Sequence, residues 1–419
     1  MNIGIIGSGG REHSICVSIN KSKKVKKIYC FPGNAGTAKI AQNINIDIGN
    51  FYEIREHVKK KKIDLLVIGP EKPLVDGITD FFKDDEVLVF GPNKICSQLE
   101  GSKIFTKKIC EKYKIPTAKF GIFKNKKDAS HYIKSCNFPL VVKADGLASG
   151  KGVYICENIS NANTAIKEIF NGKFGLAKNI LIEEFLSGEE MSFFILSDGK
   201  KIINFQTAQD HKRALEGDKG KNTGGMGAYS PSKLNSHDLE SKIKKKIILP
   251  TLKAIKELGT KYVGFLYAGL MIVENEPYLI EYNVRMGDPE CQTILPRLKT
   301  DLLDLMTSCC KGKLKKKISW KKEKSLCIVL CAKGYPEKYL KKEIKNLDKL
   351  KTNQGDYIYH AGTINKNGKI FSNGGRVINA VCLSNEFKIC REKSLNLLNK
   401  LKWKNGFFRK DIGYKVIYK

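Results

Sequence analysis

The sequence predicts a multidomain α/β protein, and three observations support this fold class. The chain has 419 residues, which is longer than a single hydrophobic core normally serves. Short apolar runs alternate with helix-like segments over the first hundred residues, a pattern typical of a parallel sheet. Two further mixed α/β patterns follow along the chain. We therefore expect an N-terminal domain over 1–102, a central domain over 103–312 and a small C-terminal α/β domain over 323–419.

The N-terminal domain is predicted to be an open, Rossmann-like parallel sheet. Its buried strands are predicted from four apolar runs, NIGIIG (2–7), KKIYCF (26–31), IDLLVIG (63–69) and EVLVFG (86–91). Each run ends in a turn with glycine or proline, and such turns form the ligand crevice at the carboxyl edge of a parallel sheet. Glu12 stands where the dinucleotide motif G-x-G-x-x-G has its third glycine, and no acidic residue ends the second strand. Both departures argue against NAD and favour a smaller phosphate-bearing ligand.

The loop KADGLASGKGV (143–153) joins two strand-like runs in the central domain. It is longer than a tight hairpin turn requires. Its glycines present bare backbone N–H groups, and Lys143 and Lys151 add positive charge, which together suit a phosphate. We predict that this loop is a mobile flap over a bound phosphate, within a subdomain of about residues 120–190.

Two later segments also carry polar residues in informative patterns. The stretch AQDHKRALEGDKGKNTGGMGAYSP (208–231) has no periodicity, and loops of this length inside a compact protein are usually functional or disordered. In the strand-like run LIEYN, Glu281 and Asn283 alternate, so both can reach one hard cation through oxygen. Arg285 joins the same face if the strand continues, which would place it beside the metal and a phosphate.

Composition excludes several function classes. The formal net charge is +32, but the excess is mostly lysine in short runs without interleaved aromatic residues, so a solvated surface is favoured over a nucleic-acid site. Thirteen cysteines without a C-x-x-C pair indicate reduced thiols rather than zinc or disulfides. No run is long enough to span a membrane and no secretory signal opens the chain. We expect a cytoplasmic protein without a membrane partner.

The order of these features resembles the ATP-grasp fold, in which a lysine and a glycine-rich flap clamp ATP. From end to end the motifs are similar to those of the phosphoribosylamine–glycine ligase family: GSGGREH, PGNAGT, LEGSK, KADGLASGKGV, IEEFLSGEE, QDHKR, NTGGMGAYSP, GFLYAGLMI, IEYNVR, HAGT, NGGRV and FRKDIGY. The resemblance implies that ATP, with Mg²⁺ or Mn²⁺, joins glycine to 5-phosphoribosylamine through glycyl phosphate. The products would be glycinamide ribonucleotide, ADP and phosphate, in purine biosynthesis.

The resemblance also implies roles for individual residues. ATP would contact Lys103, Lys143, Gly146, Gly150, Lys151, Gly152, Glu183, Glu184, Phe185, Leu186 and Glu190. The substrates would contact Gly9, Gly10, Arg11, Glu12, Asn34, Ala35, Gly36, Pro70, Glu71, Asp210, His211, Lys212, Gly224, Gly225, Arg285, Asp288 and Glu290. The metal ligands would be Glu281 and Asn283, and the candidate catalytic residues are Arg285, Lys143 and Asp210.

Some alternatives stay open at this point. His211 is a candidate general base, but a histidine that only binds substrate fits its surroundings equally well. The nearest rival functions are a formate-using or carbonate-using ATP-grasp ligase of purine synthesis and, from another class, a non-catalytic RNA-binding protein. The motifs DHKR and NTGGMGAYSP argue against the first, and the paired Glu281 and Asn283 argue against the second. A monomer without specific nucleic-acid binding is expected.

Overall fold

The structure is a computed structural model that describes residues 1–147, 152–175, 178–315 and 317–418. Three larger sheets and two short hairpins organise these residues. Helices within them are all too short or too polar to cross a bilayer.

The N-terminal region is the open parallel sheet that the sequence predicts. All its strands are parallel, in the order β3-β2-β1-β4-β5. β1 and β4 are central and covered on both sides, which explains their unbroken apolar sequence. The strands are β1 (Asn2–Gly7), β2 (Lys27–Pro32), β3 (Gln42–Asn43), β4 (Leu65–Ile68) and β5 (Leu88–Phe90), and the helices are α1 (Gly10–Ile19), α2 (Phe51–Lys60), α3 (Glu71–Asp76), α4 (Ile78–Phe81) and α5 (Lys94–Gly101).

A small antiparallel sheet follows, in the order β6-β9-β7-β8. Its apolar face packs on two helices, and the glycine-rich loop joins β7 to β8. Helix α6 (Lys103–Tyr113) precedes it. The remaining elements are β6 (Phe120–Phe123), α7 (Lys126–Tyr132), β7 (Leu140–Ala144), β8 (Val153–Cys156), α8 (Ile159–Phe170) and β9 (Ile180–Glu184).

The rest of the central region contributes most of a nine-stranded sheet. Its long strands β10, β15 and β16 are antiparallel neighbours and carry the floor of the candidate site. The elements are β10 (Glu189–Asp198), β11 (Ile202–Asp210), β12 (Arg213–Leu215), β13 (Lys219–Asn222), β14 (Gly227–Ser230), α9 (His237–Ile243), α10 (Leu249–Glu257), β15 (Val263–Val273), β16 (Glu276–Asn283), α11 (Glu290–Ile294) and α12 (Leu302–Cys310).

The last hundred residues contain the strands and helices of the predicted small C-terminal α/β domain, and their main strands extend the sheet of the central region. β14 pairs with β17, so the nine-stranded sheet runs from the central region into the C-terminal one in the order β16-β15-β10-β11-β14-β17-β21-β18, with β22 beside β17. The C-terminal elements are β17 (Lys324–Ala332), β18 (Asp356–His360), β19 (Thr363–Lys366), β20 (Lys369–Ser372), β21 (Arg376–Ser384), α13 (Phe387–Leu401), β22 (Gly406–Phe407) and α14 (Tyr414–Ile417).

The segment 208–231 is more ordered than its sequence indicates. It contains the end of β11, the β12–β13 hairpin and β14. The hairpin strands are only three and four residues long and mostly exposed, so they lack the apolar alternation by which a strand is recognised. The basic stretch 236–258 is helical but not regular, because a wide helical turn over 244–248 separates α9 from α10.

Candidate active site

One cavity of about 550 Å³ lies where the three sheets meet. It borders the carboxyl edge of the N-terminal sheet, the glycine-rich loop between β7 and β8, and strands β15 and β16. Most of the residues singled out in the sequence line it. They are Gly9, Arg11, Glu12, Pro70, Glu71, Lys103, Lys143, Gly146, Gly152, Glu183, Glu184, Phe185, Leu186, Glu190, Asp210, Lys212, Gly224, Glu281, Asn283, Arg285, Asp288 and Glu290.

Six expected site residues do not line the cavity, and two lie outside the described residues. The absent six are Gly10, Asn34, Ala35, Gly36, His211 and Gly225. The two outside the described residues are Gly150 and Lys151.

Asn34 and Gly36 have structural roles that explain why they do not line the cavity. The Asn34 amide donates to the carbonyls of Ser8 (2.8 Å) and His360 (3.0 Å), and its oxygen accepts from the Gly36 amide (2.8 Å). A Cβ at Gly36 would lie 2.2 Å from the His13 ring. Asn34 therefore ties the second turn of the sheet together and the glycine makes room for α1. Ala35, between them, is buried in the C-terminal core.

Gly10 and Gly225 serve close packing. A Cβ at Gly10 would lie 2.4 Å from the Asn379 amide nitrogen on β21, and one at Gly225 would lie 2.5 Å from the Pro289 ring. Gly225 also has a φ of +112°, a conformation that side-chain-bearing residues rarely adopt. Both glycines therefore allow close packing behind the residues that line the cavity.

His211 is turned away from the cavity, which corrects the expectation that it faces the substrate. Its Nε2 accepts from the backbone N–H of Gly413 (3.0 Å), and its Nδ1 lies 3.6 Å from Asp218 Oδ1. The imidazole is almost completely buried, and burial lowers its pKa. With Nε2 occupied by the Gly413 backbone N–H, the imidazole links the 208–231 segment to the C-terminal region.

The first turn of α1 is filled by protein carboxylates. Glu12 accepts from the Gly9 amide and from Arg11 Nε, each at 2.6 Å, and Asp288 accepts from the Arg11 amide at 3.1 Å. A Cβ at Gly69 would lie 2.1 Å from Glu12 Oε1. Gly69, after β4, and Gly7, in the turn before α1, where a Cβ would lie 2.6 Å from Glu12 Cγ, therefore make room for Glu12. The negative charge at the helix N-terminus comes from the chain itself.

The half of the cavity beside the glycine-rich loop contains two buried lysines that both pair with one carboxylate. Lys143 Nζ lies 2.8 Å from Glu183 Oε2, and Lys107 Nζ lies 3.2 Å from Glu183 Oε1. Lys103, at the start of α6, donates to the Gly146 carbonyl (2.9 Å). Beyond Glu183, the strand edge continues into Glu184, whose carboxylate accepts from the Lys119 amide (2.8 Å). Residues 183–186, which were expected to contact ATP, all line the cavity.

Glu281 and Asn283 project from the last residues of β16. The Glu281 carboxylate has no direct hydrogen bond or ion pair to any described residue and lies opposite Gly269, which leaves it room. Burial alone would raise its pKa, but the surrounding cations, led by Lys212 and Lys143, outweigh burial and lower that pKa. An ionised, unpaired carboxylate beside an amide fits a hard cation whose other ligands are phosphate and water. Within the described residues no cluster of three or more His, Cys, Asp or Glu side chains is placed to hold a metal.

Asp210 and Lys212 lie at the end of β11, among further carboxylates. Lys212 Nζ lies 3.1 Å from Glu190 Oε2. Burial raises the pKa of Asp210 to about 7; Lys212 opposes this rise, and Glu290 and neighbouring carboxylates add to it. Asp210 can therefore exchange a proton near neutral pH.

Arg285 is held between two acidic residues of the N-terminal region. Its Nε lies 3.2 Å from Glu71 and its Nη2 lies 2.7 Å from Glu100. Burial would raise the pKa of the Glu71 carboxyl group, but the positive charges of Arg285 and Arg11 have the larger effect and lower that pKa to about 2. Burial raises the pKa of Glu100 to about 7. These two carboxylates hold the guanidinium at the cavity wall. Arg285 itself lies two residues beyond the end of β16.

Four residues in or beside the cavity were missed in the sequence: Glu100, Lys107, Asp145 and Arg376. Arg376 of β21 donates to the carbonyls of Gly224 (2.6 Å) and Asp288 (2.5 Å) and so brings the C-terminal region to the site. Its motif NGGRV was noted, but no local pattern places a residue 90 positions away beside Asp288. Lys107 follows Lys103 by one helical turn, and that spacing was the available signal.

Comparison with known proteins decides the family. The N domain of phosphoribosylglycinamide synthetase matches residues 1–100, its ATP-grasp (A) domain matches 101–291, and its C domain matches 325–415. The chain belongs to the phosphoribosylglycinamide synthetase family. This membership confirms the predicted resemblance, the fold class and the predicted ligase function.

Individual relatives of this synthetase family agree along the whole chain. The phosphoribosylamine–glycine ligase of Brucella melitensis is 42% identical over 420 residues, which covers 100% of this chain and 98% of the relative. A crystal structure of phosphoribosylamine–glycine ligase from Thermotoga maritima is 31% identical, with a TM-score of 0.85 over 99% of this chain and 100% of that one. The biotin carboxylase domain of Hydrogenobacter thermophilus 2-oxoglutarate carboxylase shares the fold, with a TM-score of 0.73, 16% identity, and coverage of 95% and 89%.

Proposed function

We propose that this synthetase-family chain uses ATP to join glycine to 5-phosphoribosylamine, giving glycinamide ribonucleotide, ADP and phosphate in purine biosynthesis. The observation that carries the proposal is the single cavity that joins three parts. The first part is a lysine-lined half beside the glycine-rich loop. The second is formed by the side-chain oxygens of Glu281 and Asn283 on β16, and the third is a crevice at the carboxyl edge of the N-terminal sheet. ATP, a metal and a sugar phosphate would occupy the three parts in that order.

The reaction has two bond-forming steps. A carboxylate oxygen of glycine attacks the γ-phosphorus of ATP, the bond from that phosphorus to the β,γ-bridging oxygen breaks, and ADP leaves. The amine of phosphoribosylamine then attacks the carbonyl carbon of glycyl phosphate. The carbon–oxygen bond to phosphate breaks, an amide forms, and the amine nitrogen loses a proton. Both steps gain mainly from positioning and from stabilisation of negative charge.

Lys143, Lys103 and Arg285 supply that stabilisation in our proposal. All three line the cavity and carry positive charge toward it. Asp210 is proposed to accept the amine proton, because its pKa of about 7 matches the working pH. Glu71 and Glu12, in the first turns of the helices that follow β4 and β1, are proposed to bind the ribose side of phosphoribosylamine through their carboxylates.

Glu281 and Asn283 would hold Mg²⁺ or Mn²⁺. When bound, the cation would neutralise charge on the ATP phosphates. The support for this assignment is the ionised Glu281 carboxylate, which no described side chain pairs with directly.

A cytoplasmic location is also proposed. All thirteen cysteines are free thiols, and most of them are buried. That usage suits a reducing compartment.

The test mixes the purified chain with ATP, glycine and freshly made phosphoribosylamine. We expect ADP and phosphate to form only when both substrates are present, together with a product of the mass of glycinamide ribonucleotide. Formation of AMP and pyrophosphate would contradict the acyl-phosphate route. ATP consumption with formate or bicarbonate in place of glycine would contradict the choice of substrate.

A further inference from the structure

Lys107 lines the nucleotide half of the cavity and ends the motif LEGSK-FTK (99–107), but it has no role in the proposed reaction. It lies on α6, one turn after Lys103, and its side chain is only 3% exposed. Such a lysine is rare in a protein interior because burying an ammonium group is costly unless the group is fully paired. Its neighbours therefore show why it is present.

Three oxygen atoms of the protein surround the ammonium group of Lys107. An ammonium group has three donors and no acceptor. Lys107 Nζ lies 2.6 Å from Thr117 Oγ1, 3.5 Å from the Ala118 carbonyl and 3.2 Å from Glu183 Oε1. The first two contacts are hydrogen bonds and the third is an ion pair, so the ammonium is directed at the protein and at Glu183 in particular.

Lys143 differs from Lys107 in this respect. Glu183 Oε2, at 2.8 Å, is its one acceptor among the described residues. Two donors of Lys143 are left, and the residue lines the cavity beside Gly146 and Gly152 of the glycine-rich loop. The two lysines thus share one carboxylate, and Lys143 has donors to spare.

The net charge of Lys107, Lys143 and Glu183 explains why two lysines share one carboxylate. Lys107, Lys143 and Glu183 are almost completely buried and together carry one net positive charge. Without Lys107, the carboxylate and Lys143 would form a neutral pair, and both oxygens of Glu183 would compete for the donors of Lys143.

We propose that Lys107 is a positioning residue that pairs with the second oxygen of Glu183 and offsets its charge, and so leaves Lys143 free to donate to the phosphates of the nucleotide. This inference rests on the proposed function to the extent that the site binds ATP. It adds a residue that acts through Glu183 and Lys143 rather than by contact with a substrate.

The experiment measures MgATP binding to the full-length chain by titration calorimetry, without glycine or phosphoribosylamine. We expect K107M to raise the Kd for MgATP about ten- to hundredfold, as the loss of a charged hydrogen-bond partner does. The double variant K107M/E183Q removes both members of the pair and restores the net positive charge on Lys143. It should bind MgATP at least about threefold more tightly than K107M, a recovery that loss of a merely structural residue would not give.

Lys108 provides the matched control, because it is the next residue of α6 and is exposed. K108M should bind MgATP like the unmodified chain. Thermal unfolding of each variant establishes that it is folded, and K107Q replaces K107M if K107M does not fold.

Two results would overturn the inference. One is a folded K107M or K107Q that binds MgATP within about twofold of the unmodified chain. The other is a K107M/E183Q variant as weak as K107M. Absence of MgATP binding by the unmodified chain would instead contradict the proposed function, so the two failures can be told apart.

Discussion

Asp210 illustrates how strongly one residue depends on its surroundings. Its carboxyl group is buried among other carboxylates, which raises its pKa to about 7. A proton acceptor must be ionised, so kcat/KM should rise with pH through about 7 and level off above it. Asp210→Asn should lower the rate about a hundredfold or more and remove this acidic limb. The measurement is a pH–rate profile of both forms, and an unchanged limb in the variant would assign it to another group.

Glu281 is the second residue whose substitution is informative. Glu281→Gln should lower kcat about a hundredfold to a thousandfold, because the metal loses its charged ligand. The fold should persist, since the side chain makes no core contact. Glu276→Gln is the control, at the other end of β16, where Glu276 pairs only with surface lysines. Normal turnover of the Glu281 variant at saturating Mg²⁺ would place the cation elsewhere.

At the scale of elements, the start of the glycine-rich loop is fastened to the N-terminus of α6. Asp145 Oδ1 accepts from Ser102 Oγ (3.2 Å) and from the Ile104 amide (3.3 Å), beside the bond from Lys103 to the Gly146 carbonyl. Asp145→Ala should raise the KM for ATP several-fold while the KM for glycine changes little. The lost hydrogen bonds to the start of α6 should also cost about 1 kcal/mol of stability.

A cap far from the site is the control for Asp145. Asn125 accepts from the Asp128 amide (2.9 Å) at the start of α7. Asn125→Ala should cost a similar stability, measured by thermal unfolding, without changing the KM for ATP. Equal KM effects of both substitutions would mean that the Asp145 result reports general destabilisation.

The elements also show what a sequence can and cannot reveal. The runs at β1, β2, β4 and β5 were predicted within a few residues because they are apolar and end at glycine or proline turns. The β12–β13 hairpin was missed because its strands are short and exposed. The pairing of β14 with β17 joins residues about a hundred positions apart, and no local pattern encodes such a contact.

The candidate site shows the same division. Residues in long glycine-containing motifs were predicted because the motif itself carries the chemistry. His211, Asn34 and Gly225 also lie in such motifs but pack against other parts of the protein and do not line the cavity. A motif does not reveal which of its residues are directed toward a ligand. Arg376 reaches the cavity only because the nine-stranded sheet continues into the C-terminal region.

At the scale of the whole molecule, the net charge of +32 belongs to the exterior. Lys107 and Lys143 are the only buried lysines among the described residues. Any DNA or RNA binding should therefore be non-specific and should weaken steeply between about 50 and 200 mM salt, as counterion release requires. Fluorescence anisotropy with two unrelated oligonucleotides measures this. A sequence-dependent complex that persists at high salt would identify a nucleic-acid site after all.

The separation of two buried lysines from an otherwise exposed lysine surface has a consequence for chemical labelling. An acylating reagent modifies amines that it can reach, so surface lysines should react in the folded chain while the Lys107 peptide stays unmodified. Lys143, which borders the cavity, should become protected further when nucleotide is bound. The two peptides, followed by mass spectrometry, would then act as paired internal reporters. Lys107 would report whether the fold is intact, and Lys143 whether the nucleotide site is occupied.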